Sequence, residues 1–433
     1  MKGSPVSRAS RARPWLAAGL AATGALVAFV ALAALVAWLN LGGEAPVSGA
    51  PPTPPAPEAV ARGAVLAALG NCSGCHTAPG GAPYAGGRAI VTPFGSIHAG
   101  NLTPDAETGL GGWNADHFWR ALHHGRSRDG RLLNPAFPYP SFTRMTRADS
   151  DALFAYLQSE PPVRQVQPAQ ALRWPYGTQP ALAVWRALYF RPAAFEPDPA
   201  RTAGWNRGAY LVQGLAHCGA CHAPRNALGA AQAGSALSGA TMPDGLWHAP
   251  ALPAGWPAAD IAALLLDGRS PSGSALGPMA LVVAGSTQHW PAADAQAVGE
   301  YLAALSPRSA PQSPLPKRTP VEAADPDTLR TGEALYGTHC AECHGKAREG
   351  APGAWPALDG HRTVLAMPAN NLIRAILEGG FGAATAAHPR PYGMPPFGHQ
   401  LNDVEIAALA TWLRQAGAEK AEAVLPLEVR QVR

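Results

Sequence analysis

Cys72-Ser73-Gly74-Cys75-His76, Cys218-Gly219-Ala220-Cys221-His222 and Cys340-Ala341-Glu342-Cys343-His344 repeat one pattern three times and contain all six cysteines of this 433-residue chain. Cys-x-x-Cys-His is the spacing that covalent haem attachment requires. Two thiols three positions apart share one helical turn, where each can form a thioether to a haem vinyl group. The histidine that follows then faces the iron as proximal ligand. Structural zinc would need two such pairs about 15–20 residues apart, and these pairs are far more widely separated. A disulfide does not call for the histidine, and the βαβ setting of a thioredoxin-like pair is missing. Three covalently bound haem c groups are therefore expected. Their attachment points are Cys72, Cys75, Cys218, Cys221, Cys340 and Cys343, and their iron is held by His76, His222 and His344.

Working outward, each motif sits in a repeat. A glycine lies 8–10 positions upstream, at Gly63, Gly208 and Gly332. Apolar residues lead into the cysteines: Leu66 and Leu69, Tyr210 and Leu211, Leu335 and Tyr336. Each unit closes on an amphipathic helix that ends in an aromatic-Leu pair: Tyr156-Leu157, Tyr301-Leu302 and Trp412-Leu413. Helical spacing is plain in Ile406, Leu409 and Leu413. The first and last helices of a class I cytochrome c cross in this way, and the aromatics are read as packing with no chemistry of their own. The fold class expected is all-α: three tandem class I cytochrome c domains, preceded by one N-terminal transmembrane helix.

That helix is read from residues 14–41. No charge falls between Trp15 and Leu41, and about 20 apolar residues suffice to cross a bilayer. Lys2, Arg8, Arg11 and Arg13 precede it, so the N-terminus is expected on the cytoplasmic side. A cleaved signal peptide usually has a shorter apolar stretch, about 7–15 residues, which favours a retained anchor. Either way the remainder is placed in the periplasm, and a retained anchor holds it on the inner membrane. Those four basic residues account for the net charge of +4; beyond them basic and acidic residues are equal in number. No nucleic-acid partner is supported.

The expected organisation is then a Pro-rich linker over 42–58 and a first domain over 59–160. A connecting segment follows over 161–199, with a helical stretch at 181–190 that packs on a domain or partner and makes the first two domains a fixed pair. The second domain covers 200–305, an open tether 306–327, and the third domain 328–418. Small Gly- and Pro-rich domains bury little side-chain surface, and a haem supplies the missing apolar core.

A methionine sulfur commonly completes the iron and raises its potential. In the third domain the candidate is Met394, in Gly393-Met394-Pro395-Pro396-Phe397, with Met367 as rival. In the second it is Met279, in Gly277-Pro278-Met279, with Met242 as rival. The matching loop of the first domain is Pro135-Ala136-Phe137-Pro138-Tyr139, and phenylalanine cannot ligate iron. Met145 aligns with Leu401, a hydrophobic-staple position, and is the one methionine at hand. His98, His117, His123 and His124 are alternatives, as is an open iron. An open iron would make the first haem a gas-binding or catalytic centre.

The order of these elements, from about Arg62 to Gln415, resembles the tri-haem cytochrome c subunit of membrane-bound alcohol, gluconate and aldehyde dehydrogenases, and related subunits of periplasmic molybdenum hydroxylases. The matching stretches are Thr92-Pro93-Phe94-Gly95, Asn101-Leu102-Thr103-Pro104-Asp105 with Trp113, and Asn206 to Val212. His217 to His222 with Pro224 and Arg225, Gly277-Pro278-Met279 and Met394 to Phe397 complete the set. The resemblance implies an electron-transfer subunit that relays electrons from a catalytic dehydrogenase subunit to ubiquinone or the respiratory chain. That partner would be a molybdenum hydroxylase, a quinoprotein or a flavoprotein. Phe137 and Asn226 are closer to the molybdenum-hydroxylase branch, since the alcohol and gluconate branch usually has Met at the first position. No dinucleotide fingerprint or catalytic triad is present, so substrate oxidation is expected on another polypeptide. A stand-alone carrier to a terminal oxidase is the other reading.

Overall fold

The computed structural model describes residues 14–41, 55–232, 234–252, 255–305, 325–417 and 422–433. Its organising feature is a pair of crossed helices that forms three times. Pro57–Leu69 crosses Arg147–Ser159, Ala203–Tyr210 crosses Ala292–Ala303, and Pro326–His339 crosses Asp403–Gly417. The glycine upstream of each motif is the crossing point. A Cβ at Gly63 would stand 2.0 Å from the Ala152 carbonyl oxygen and 2.5 Å from Tyr156 Cβ. At Gly208 the same atom would meet Ala297 O at 2.0 Å and Tyr301 Cβ at 2.7 Å. At Gly332 it would meet Ala408 O at 2.4 Å and Trp412 Cβ at 2.6 Å. Each crossing thus brings one helix backbone against another, which only a residue without a side chain permits. The aromatic of each closing pair lies over that glycine, as packing.

An ion pair repeats at the first two crossings. Arg62 Nε donates to Asp149 Oδ1 at 3.0 Å, and Arg207 Nε donates to Asp294 Oδ1 at 2.7 Å. The third crossing has Thr331 at the equivalent place. The short antiparallel ribbons are an addition to the all-α expectation. Ala89–Thr92 pairs with Gly95–His98, which pairs in turn with Ala171–Leu172; Ala240–Thr241 pairs with His248–Ala249, and Gly380–Phe381 with Gly393–Met394. They tie the loops between the helices.

The first two crossings share one apolar core, in which Leu66, Leu69, Leu153 and Leu157 join Leu211, Leu215, Val298 and Leu302. Tyr210 OH donates to Asp149 Oδ2 at 2.5 Å and accepts from the Thr146 N–H. Ser286 Oγ and Trp290 Nε1 both donate to the Ala68 carbonyl in the last turn of Pro57–Leu69, which also accepts from the Asn71 N–H. The helix expected near 181–190 spans Gln179–Tyr189. Leu182 and Ala183 are buried against Leu132, and Gln179 bonds both backbone groups of Leu132.

The C-terminal crossing has a core of its own. Most of the tether over 306–327 lies outside the described residues, and Pro326–His339 starts within that range. The unit does not hang free, however. Arg362 N–H donates to Ser272 O at 3.1 Å, Gln288 bonds Ala384 O and Ala386 N–H, and Ala383 joins Ala275, Ala280 and Val283 in a small shared cluster. The apolar N-terminal helix is Pro14–Leu41, with Ala18–Val36 long and apolar enough to cross a membrane. Of its described side chains Ala33 and Val36 are partly buried, near its contact with Gln179–Tyr189. The Pro-rich stretch that follows is largely outside the described residues.

Two glycines of one helix give a direct test. Gly332→Ala drives a methyl into the Ala408 carbonyl and should destabilise the C-terminal unit by about 1–3 kcal/mol. Gly337→Ala meets nothing within 4 Å and should stabilise it by roughly 0.5–1 kcal/mol. Denaturant unfolding of the mature chain reads both; equal effects would contradict the backbone-contact reading of Gly332.

Candidate haem-binding centres

Each motif follows the C-terminal end of a leading helix, where the crossing holds the backbone still. In the first unit Asn71 adopts a left-handed conformation (φ 48°) and starts the short helix Cys72–His76. In the middle unit the last turn widens first. Ala216 N–H bonds Leu211 O, five residues back, at 2.9 Å, a π-type turn. His217 then turns left-handed (φ 39°) ahead of Cys218. In the C-terminal unit Cys340 N–H still bonds Tyr336 O, and the motif helix follows at Ala341–His344.

None of the six cysteines is paired in a disulfide. Burial pushes the Cys72 and Cys218 thiols up to about 12 and Cys340 up to about 11. Among the described residues no three His, Cys, Asp or Glu side chains gather as a metal-ion site would need.

The three histidines share one arrangement. His76 Nδ1 lies 2.7 Å from Gly100 O, His222 Nδ1 2.7 Å from Pro250 O, and His344 Nδ1 3.0 Å from Pro356 O. A carbonyl can only accept, so each Nδ1 carries the proton and Nε2 keeps its lone pair for a metal. Burial lowers the pKa of all three, so each ring is held neutral. Paired thiols, a neutral imidazole with Nε2 free and an apolar wall are the donor set that haem c takes. Haem c, once bound, supplies one-electron redox chemistry.

The candidate sixth ligands fall in different settings. Met394 is partly buried on Gly393–Met394 and packs against the core that Cys340 and Leu335 also touch. Met279 opens the helix Gly277–Gly285 and packs against the cluster of Ala275, Ala280, Val283 and Ala383 at the junction of the middle and C-terminal units. Its rival Met242 sits in a tight turn, its N–H on Trp247 O. Met367 is 42% exposed. Met145 is only 1% exposed and belongs to the core against which Cys72 and Phe137 pack. It immediately precedes Thr146, the N-cap of Arg147–Ser159, as Leu401-Asn402 precedes Asp403–Gly417. Phe137 lies in an aromatic cluster with Tyr139 and Phe142. Of the histidine alternatives, His98 has Nδ1 on Ala169 O, His117 closes the capping box of Ala115–His124, and His123 stacks on Trp119 with its edge toward His124.

Sequence reasoning missed the residues between motifs. His217 Nε2 reaches Gly70 O, two positions before Cys72, at 3.2 Å, and its ring meets the edge of Phe142. The first two motifs are therefore neighbours in space. At the next junction His361, near His344 and 5% exposed, lies 3.3 Å from Ser274 Oγ of the middle unit. Nothing about a lone His or Ser marks such junctions in a sequence.

Two protein families match this chain: Cytochrome c over residues 60–160, and Cytochrome C oxidase, cbb3-type, subunit III over 327–413. Among similar proteins, a nicotinate dehydrogenase subunit of Pseudomonas putida is 41% identical over 84% of this chain, and the chain spans 31% of that relative's length. The gluconate 2-dehydrogenase cytochrome c subunit of Pantoea cypripedii is 34% identical over 84% of this chain and 87% of its own. The cytochrome c subunit of alcohol dehydrogenase (quinone) from Gluconacetobacter polyoxogenes is 35% identical, over 85% and 83%.

Proposed function

The chain belongs to the cytochrome c subunits of membrane-bound dehydrogenases, and from that premise we propose that it is the electron-transfer subunit of a periplasmic dehydrogenase complex, holding three haem c groups. The domains are 59–160, 200–305 and 328–418, and Pro14–Leu41 anchors them to the inner membrane. The observation that carries this reading is the threefold recurrence of one site. A glycine crossing, a pair of thiols three positions apart and a histidine with Nδ1 on a backbone carbonyl occur together each time.

The residues of the chain perform three tasks. Cysteines and histidines hold each group at the end of a rigid helix crossing. Met279 and Met394 complete the second and third iron, and Met145 the first; its burial in the core against which Cys72 packs supports this choice. The shared core of the first two units, and the docking of the C-terminal unit on the middle one, keep successive sites adjacent, so electrons pass along the chain without domain motion.

The catalytic partner proposed is a molybdenum hydroxylase. Phe137 and Asn226 favour it, and so does the 41% identity to a protein named for nicotinate, which points to a heteroaromatic acid as substrate class. Ubiquinone or another membrane carrier receives the electrons. Detergent purification from native membranes tests this. A catalytic subunit should come with the chain, its substrate should reduce the haem bands, and added ubiquinone should reoxidise them. A chain that purifies alone and exchanges electrons only with a terminal oxidase would favour the stand-alone carrier.

Met145→Leu conserves volume while removing sulfur. The mature variant should bind carbon monoxide at about one haem in three, where the parent binds none rapidly. An unchanged spectrum and no carbon monoxide binding would place the first sixth ligand elsewhere.

A further inference from the structure

Two amide side chains grip the loops that orient the haem histidines, and they do so in the same way. In the first unit Gln170 Oε1 accepts from the His98 N–H at 2.8 Å and Gln170 Nε2 donates to His98 O at 3.1 Å. His98 stands two positions before Gly100, whose carbonyl holds His76 Nδ1. In the middle unit Asn371 Oδ1 accepts from the His248 N–H at 2.9 Å and Asn371 Nδ2 donates to His248 O at 2.7 Å. His248 stands two positions before Pro250, whose carbonyl holds His222 Nδ1. Each gripped residue already pairs on its other side, His98 with Ala89 and His248 with Thr241. The amide thus fills the place of one more strand, satisfying a donor and an acceptor at once. The corresponding loop of the C-terminal unit closes on its own backbone, with Ala354 N–H on Ala351 O and Ala351 N–H on Trp355 O.

We propose that Gln170 and Asn371 are positioning residues that set the strength of the Nδ1–H bond made by His76 and His222. This rests on the haem reading above and deepens it. Asn371 belongs to Asn370–Glu378 of the C-terminal unit, so the environment of the second haem is set in part by the third domain. A carbonyl held in place makes the imidazole a stronger donor to iron and stabilises the oxidised metal; a loosened carbonyl does the reverse.

Redox titration of the mature full-length chain, with the haem content of every variant counted by alkaline pyridine, tests this. Asn371→Leu removes both bonds at similar volume and should move one redox wave to higher potential while the other two stay. Asn371→Gln keeps an amide and should move the same wave less. Gln170→Leu should move a different wave upward, and it carries the test alone if Asn371→Leu does not mature. Asn370→Ala removes bonds to the Gly245 and Leu246 carbonyls from the same helix without touching His248, and should leave all three waves in place. Unmoved waves in Asn371→Leu or Gln170→Leu with three haems attached would overturn the clamp. So would an Asn370→Ala shift as large as that of Asn371→Leu, which would assign the effect to docking. Fewer than three haems in the parent chain would instead overturn the reading on which the clamp rests.

Discussion

The contact between helix backbones at Gly63, Gly208 and Gly332 is what the rest of the molecule depends on. With a Cβ position only 2.0–2.4 Å from a carbonyl oxygen of the partner helix, neither helix can slide or rotate without either clashing or opening a gap. Each crossing fixes the end of the leading helix, and each motif begins within a few residues of that end. A motif on a loose loop would present its thiols and imidazole over a range of positions. Here the local turns at Asn71, at His217 and at Cys340 aim a short helix from a fixed base, and a backbone carbonyl then sets the ring orientation of the histidine.

From that base the structure becomes a relay by sharing surfaces. The first two crossings have one core, and Asp149 joins them by accepting from both Arg62 and Tyr210. The middle and C-terminal units are joined mostly by hydrogen bonds to backbone, through Gln288, Asn370, Asn371 and Arg362. Such bonds demand geometry, whereas apolar burial alone is indifferent to small rotations. The docking therefore specifies orientation as well as contact, which suits sites whose separation governs electron transfer.

Much of this was legible in the sequence because the motif is covalent chemistry with fixed spacing. The three histidines, the upstream glycines and the aromatic-Leu pairs align with one another, and the helices fall where that alignment places them. The junctions were not legible. His217, Ser274, Asn371 and Gln170 are ordinary polar residues far in sequence from what they touch, and periodicity carries no trace of a side chain bonded to a distant backbone. The tether before residue 325 read as open, yet the surface that docks the C-terminal unit lies elsewhere, in loops around Ser272, Gln288 and Ala383. The first sixth ligand was ambiguous for a related reason: Phe137 removes the expected donor, and only burial distinguishes Met145 from the histidines nearby.

If three equivalent centres, built on three glycine crossings, lie along one docked chain, their iron atoms must occupy positions that can be named in advance. Anomalous X-ray scattering at the iron edge, from crystals of the mature chain, locates them. Three iron peaks are expected, each beside Nε2 of His76, His222 or His344, with the paired Nδ1 on Gly100, Pro250 or Pro356. Fewer than three peaks, or an iron away from one of these Nε2 atoms, would contradict the threefold arrangement.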